Sequence, residues 1–146
     1  MKTRVLFTAS LFFIAAAFLA ACGSSSQPTA DKPIQGKVIG TTPIGTLTAT
    51  LSSETGKLKS GDQEVFLAFT DSAGKPAAVT AASLNFHMPA MGAMAAMNDS
   101  AVLSTTGTPG VFRGKLKIQM PGDWIAQISY EGGGSSGKAT IPTTAN

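Results

Sequence analysis

"VFRGKLKIQMPGDWIAQISY", Val111 to Tyr130, decides the fold. In its first half Phe112, Leu116, Ile118 and Met120 alternate with Arg113, Lys115, Lys117 and Gln119. In its second half Trp124, Ala126, Ile128 and Tyr130 alternate with Ile125, Gln127 and Ser129. Successive side chains of a strand point to opposite faces, so a period of two marks strands with one face on a core. "PGD", from Pro121, supplies a tight turn between them.

The same period recurs in both directions along the chain. In "TLTATLS" (46–52), Leu47, Ala49 and Leu51 take one side and threonines the other. "EVFLAF" (64–69) is a continuous apolar run, as a central strand requires. In "SLNFHM" (83–88), Leu84, Phe86 and Met88 share a face, with Asn85 and His87 opposite. "GKATIP" (137–142) gives a last short strand. "ETGKLKSGD" (54–62), "DSAGKP" (71–76) and "TGTPG" (106–110) read as turns. Short strands at this spacing predict an all-β antiparallel sandwich of about seven strands, to which "GKVIGTT" (36–42) would add one. "AMGAMAAM" (90–97) alone has helical propensity and is expected to form a single helical turn.

Strands joined by short turns alternate in direction. The third ends at Met88 and the fifth at Met120, so both leave the sandwich at one pole. Met120 is therefore expected close to the loop that follows Met88.

The chain's first 33 residues are of another kind. "MKTR" is basic, and Val5 to Ala21 is uncharged and mostly apolar. That run has 17 residues, short for a spanning helix, which needs roughly 20. A basic start, an apolar middle and small residues at the end describe a secretory signal. Its close, "LAAC" (Leu19 to Cys22), resembles the lipobox of bacterial lipoproteins. The resemblance implies cleavage before Cys22 and lipidation there. "GSSSQPTADKP" follows, a composition that reads as a flexible tether. The expected organisation is a lipoprotein signal peptide over 1–21, lipidated Cys22 and linker over 22–33, and the sandwich over 34–146. A chain with one cysteine forms no internal disulfide, so the fold must hold without a staple.

The formal charge of +3 overstates how basic the mature protein is. Losing Lys2 and Arg4 leaves nine basic residues against eight acidic ones. Arg113, Lys115 and Lys117 line one strand face, and no wider basic cluster exists, so no nucleic-acid partner is expected. Attachment to the membrane is expected through the lipid on Cys22. Gly23 follows that cysteine in place of the Asp associated with inner-membrane retention, which favours the outer membrane.

"HMPAMGAMAAM" (87–97) carries the chemistry. It holds four of the six methionines, each three residues from the next, and it opens on the sole histidine. Thioether sulfur is a soft, neutral ligand that suits Cu(I) and serves Mg or Ca poorly. In an oxidising compartment Met is lost less easily than a thiolate, though it forms sulfoxide. One imidazole adds a nitrogen donor. Zinc is disfavoured because no second His, no Cys and only Asp99 lie nearby. Residues three apart alternate sides on a strand, and Pro89 and Gly92 argue for a bent loop. His87, Met91, Met94 and Met97 are then better placed than Met88 to share one ion, with Met120 as a neighbour. The plain alternative is an apolar lid, because Met fills gaps and serves adaptable binding surfaces. Enzyme chemistry is not expected. The sole His has no carboxylate beside it in sequence, and there is no Gly-x-Ser-x-Gly or zinc-hydrolase motif.

"HMPAMGAM", followed by "GVFRGKLKIQMPGDWIAQISY", resembles the YtkA-like domain family over roughly Leu47 to Ile141. The resemblance implies an immunoglobulin-like sandwich with a Met-Pro-x-Met-Gly segment and a strand pair around a Gly-x-Trp turn. It carries over to Met88, Met91 and Trp124 as family positions. It also implies a secreted or membrane-anchored protein near copper handling or heavy-metal efflux. Where many relatives have His soon after Met-Gly, Ala93 and Met94 follow Gly92 here, a set that suits Cu(I) better than Cu(II).

These readings combine into an expectation of a lipid-anchored protein facing the periplasm or cell exterior. It would bind Cu(I) through His87, Met88, Met91, Met94, Met97 and Met120, and pass it to a metal-transfer or efflux partner. The alternative is a metal-free sandwich module that docks on a membrane or efflux complex.

Overall fold

A computed structural model of the chain describes residues 34–146. The signal segment, Cys22 and the tether lie outside the described residues. Among the described residues there are nine strands: β1 (Lys37–Ile44), β2 (Leu47–Ser53), β3 (Gly61–Thr70), β4 (Ala81–Met88), β5 (Met97–Ser100), β6 (Val102–Thr105), β7 (Val111–Ile118), β8 (Gly122–Gly132) and β9 (Ser135–Ala145). They form an antiparallel five-stranded sheet, β1-β2-β3-β7-β6, and an antiparallel four-stranded sheet, β5-β4-β8-β9. Among the described residues no helix is long and apolar enough to cross a membrane.

The alternating faces meet in one core. Phe112, Leu116 and Ile118 of β7 are buried there, as are Trp124, Ala126, Ile128 and Tyr130 of β8. Leu84, Phe86 and Met88 of β4 join them from the same sheet as β8. The continuous apolar run is the middle strand of its sheet, β3, with Val65, Leu67 and Phe69 in the core. Arg113, Lys115 and Lys117 point outward. Arg113 lies over the Phe66 ring, 5.6 Å from its centroid, and within 3.6 Å of Glu64. Three exposed groups on an outer face make a solvated strand surface.

The expected count of about seven is exceeded for two reasons. "GKVIGTT" does form a strand, β1. The segment Met97–Thr105 forms two, β5 on one sheet and β6 on the other, separated by Ala101 alone. The chain changes sheets at that residue. Gly114 permits the crossing: a Cβ there would stand 2.9 Å from Leu103 and 3.4 Å from Ala101. Because β5 and β6 run in one direction, they count as a single reversal. The direction argument survives the extra strand.

Both strand ends named by that argument lie at one pole. β8 begins where the turn after β7 ends, and it pairs antiparallel with β4, His87 opposite Ile125. The end of β4 therefore sits beside the start of β8. Trp124 is 1 % exposed, and its Nε1–H donates to the Met120 carbonyl at 3.1 Å, which ties the ring to the turn.

Candidate metal centre at the methionine hairpin

The predicted helical turn at 90–97 is absent. Met91 and Met94 instead pair as an antiparallel bridge: each N–H donates to the other's carbonyl, at 3.1 and 2.9 Å. Gly92 and Ala93 form the two-residue turn between them. Gly92 has φ +58°, the positive value that primed hairpin turns require at their first central residue. Helix propensity is a weak prior, and the β4–β5 pairing overrides it.

The register explains the spacing of the methionines. β4 pairs with β5 as Asn85 to Ser100, Phe86 to Asp99, His87 to Asn98 and Met88 to Met97. The Met91–Met94 bridge is in the same register, although Pro89, Ala90, Ala95 and Ala96 make no ladder pairs between the two. A spacing of three, centred on a two-residue turn, thus nests as two cross-strand pairs. Directly opposed residues share a face of the hairpin.

The two pairs have different surroundings. Met88 is 2 % exposed and packs in the core, and Met97, opposite it, is half-buried against that core. Met120 packs against the same core from the β7–β8 turn. Met91 and Met94 are 50 % and 39 % exposed at the tip. The residues expected to act together are therefore divided. Met97 goes with Met88 and Met120 on the core side, and Met91 and Met94 stand apart from them.

His87 belongs with the outer group. It follows Phe86 and precedes Met88 on β4, both buried, so its ring lies on the outward face. The Met91–Met94 bridge continues the His87–Asn98 pairing in register, across four residues that make no ladder pairs. His87 Nδ1 is 2.8 Å from Asn98 Oδ1. Asp99 is committed elsewhere: its carboxylate accepts from the Gln119 backbone N–H at 3.0 Å and from Gln119 Nε2 at 2.7 Å. That clamp joins β5 to the turn bearing Met120.

Sequence reasoning missed Asn98. Its relation to His87 depends on the strand register, which in turn depends on where the turn falls. Among the described residues no three His, Cys, Asp or Glu side chains gather as a ligand set. An ion at this pole would thus be held mainly by thioethers, a donor set that fits a soft ion and no hard one. The expected lipidation site, Cys22, falls outside the described residues.

Neither the curated proteins nor the solved structures compared with this chain include a match. A family model does match: YtkA-like, over residues 42–129. The matched span runs from within β1 to Ser129 of β8 and contains the whole methionine hairpin, Met120 and Trp124. More than half of the sequence is covered, and the chain belongs to the YtkA-like family.

Proposed function

We propose that this protein is a non-enzymatic, lipid-anchored carrier of Cu(I) or a similarly soft ion such as Ag(I), working on the outer side of a membrane. Cys22 is its lipid attachment point, with the outer membrane favoured, and 23–33 is its tether. The observation that carries the reading is the Met91–Met94 pair. Two large apolar side chains are held side by side at an exposed tip, where the core has no use for them. Met has no special aptitude for a hairpin turn, so its sulfur is the property that distinguishes it there. Cu(I) is cargo in this reading, taken by Met91 and Met94 with His87 as the nitrogen donor. Met88, Met97 and Met120 pack in or against the core. An exposed site also suits hand-over to a metal-transfer or efflux partner, whose ligands can approach the ion directly.

Anaerobic titration with Cu(I), against a competing chromophoric chelator, tests this. The full chain is used in detergent, with Cys22→Ser so that no thiol competes. The unsubstituted hairpin should take up one ion, and Met91→Leu with Met94→Leu should abolish uptake while keeping the apolar volume. Full-strength binding in the double variant would overturn the assignment.

A second reading has its own support. Pro89, Ala90, Met91, Ala93, Met94, Ala95 and Ala96 are all exposed, so the tip is a small apolar knob. A metal-free module could dock it on a membrane complex. Docking would then survive replacement of sulfur by Leu.

A further inference from the structure

We propose that Asn98 is the positioning residue of this site: it sets the tautomer of His87 so that Nε2 is the atom offered to the ion. The inference rests on the metal reading above and adds a residue and a role to it. A side-chain amide oxygen can only accept. With Asn98 Oδ1 2.8 Å from Nδ1, the proton of the neutral ring sits on Nδ1 and the lone pair on Nε2. Nε2 has no hydrogen-bond partner among the described residues. Neutral imidazole in water favours the opposite tautomer, with the proton on Nε2. Asn98 therefore reverses an intrinsic preference.

The placement gives the reversal a use. Asn98 lies directly across from His87 on the edge strand β5, so Nδ1 faces β5. On the other side His87 faces Ile125, which offers no polar group. The ring is thus held from one side by one residue. Its remaining lone pair is left on the outward side of β4, opposite the face that buries Phe86 and Met88. Met91 is four residues from His87, about 13 Å along an extended strand. Pro89, Ala90, Ala95 and Ala96 make no ladder pairs, so no cross-strand pairing between ring and tip would have to break for the two to approach. A metal-ligating His is oriented in this way by a partner on its other nitrogen, and loss of that partner weakens binding typically 10- to 100-fold.

The test uses the full chain with Cys22→Ser in detergent. It combines 15N NMR of the neutral His87 ring with Ag(I) titration in chloride-free buffer, for Asn98→Leu and Asn98→Asp. In the unsubstituted protein the ring should show protonated Nδ1. Asn98→Leu should shift it toward protonated Nε2 and weaken Ag(I) binding about 10-fold or more. Asn98→Asp, which still accepts from Nδ1–H, should restore both. Asn98 is exposed, so neither variant endangers the core. Unchanged affinity or an unchanged ring in Asn98→Leu would overturn the role of Asn98 alone. No uptake of Ag(I) by the unsubstituted protein would overturn the metal reading and this inference together.

Discussion

The terminal methyl of Met88 lies 2.8 Å from the point where a Cβ on Gly122 would stand. That methyl is the only atom within 4 Å of the point, and as the free end of a flexible side chain it can move aside, so the constraint on position 122 is its backbone. Its φ of +138° lies where L residues are strained. Gly122→Ala should therefore destabilise the fold by about 1–3 kcal/mol, through backbone strain, with Met88 shifting to admit the methyl. Urea denaturation measures this. An unchanged midpoint would mean that the backbone at 122 relaxes to a conformation open to L residues.

The division of the methionines predicts a division of stabilities. Met88→Ala removes a buried side chain and should cost about 2–5 kcal/mol. Met91→Ala and Met94→Ala alter exposed groups and should each stay within about 0.5 kcal/mol. If Met91→Ala proved as costly as Met88→Ala, the tip would be packed against something, and its availability as a ligand would be lost.

Trp124→Ala should cost about 3–5 kcal/mol, because the ring is buried between the sheets. Trp124→Phe retains much of the ring but removes the Nε1–H bond to the Met120 carbonyl. It should cost at least the 1 kcal/mol or so of that bond. Amide exchange in the Gln119–Gly122 turn should quicken in the Phe variant, since the bond ties the turn to the ring.

The strands that can be read from residues alone are those with one wet and one dry face. β4, β7 and β8 announce themselves by alternation, and β3 by its unbroken apolar run. β5 and β6 do not. "NDSAVLST" lies on the edges of two sheets, changes sheets at Ala101, and exposes Val102, so no face is buried along its whole length. The methionine segment stands out in the sequence by its composition, but its shape was illegible there. Ala and Met favour a helix locally, but Gly92 with a positive φ and the β4–β5 ladder make a hairpin. The division into an outer and an inner pair follows only once the turn is centred on Gly92 and Ala93. The Asn98–His87 bond follows from the same register.

Asp99 gives a further test of that register. Its carboxylate holds Gln119 by backbone and side chain across the gap between the sheets. Asp99→Ala should cost about 1–2 kcal/mol, with the Gln119 N–H losing its acceptor. The Gln119 amide should become the most affected site in hydrogen exchange. Protection retained at Gln119 would show that the clamp is not used in solution.

Oxidation separates the ligand role of the tip from its docking role. Peroxide converts a thioether to a sulfoxide at a rate that follows exposure. Met91 and Met94, at 50 % and 39 % exposed, should oxidise first, and Met88, at 2 %, last. Peptide mass spectrometry can rank all of the described methionines in one experiment. If the tip sulfurs are ligands, Ag(I) should slow oxidation at Met91 and Met94, because the attacked lone pair is engaged. Met97 and Met120 should be unaffected. Ag(I) serves better than Cu(I) here, since Cu(I) reacts with peroxide to give radicals. A docking knob without metal predicts the same ranking but no protection. Protection confined to Met88, Met97 and Met120 would move the ion to the core side of the hairpin.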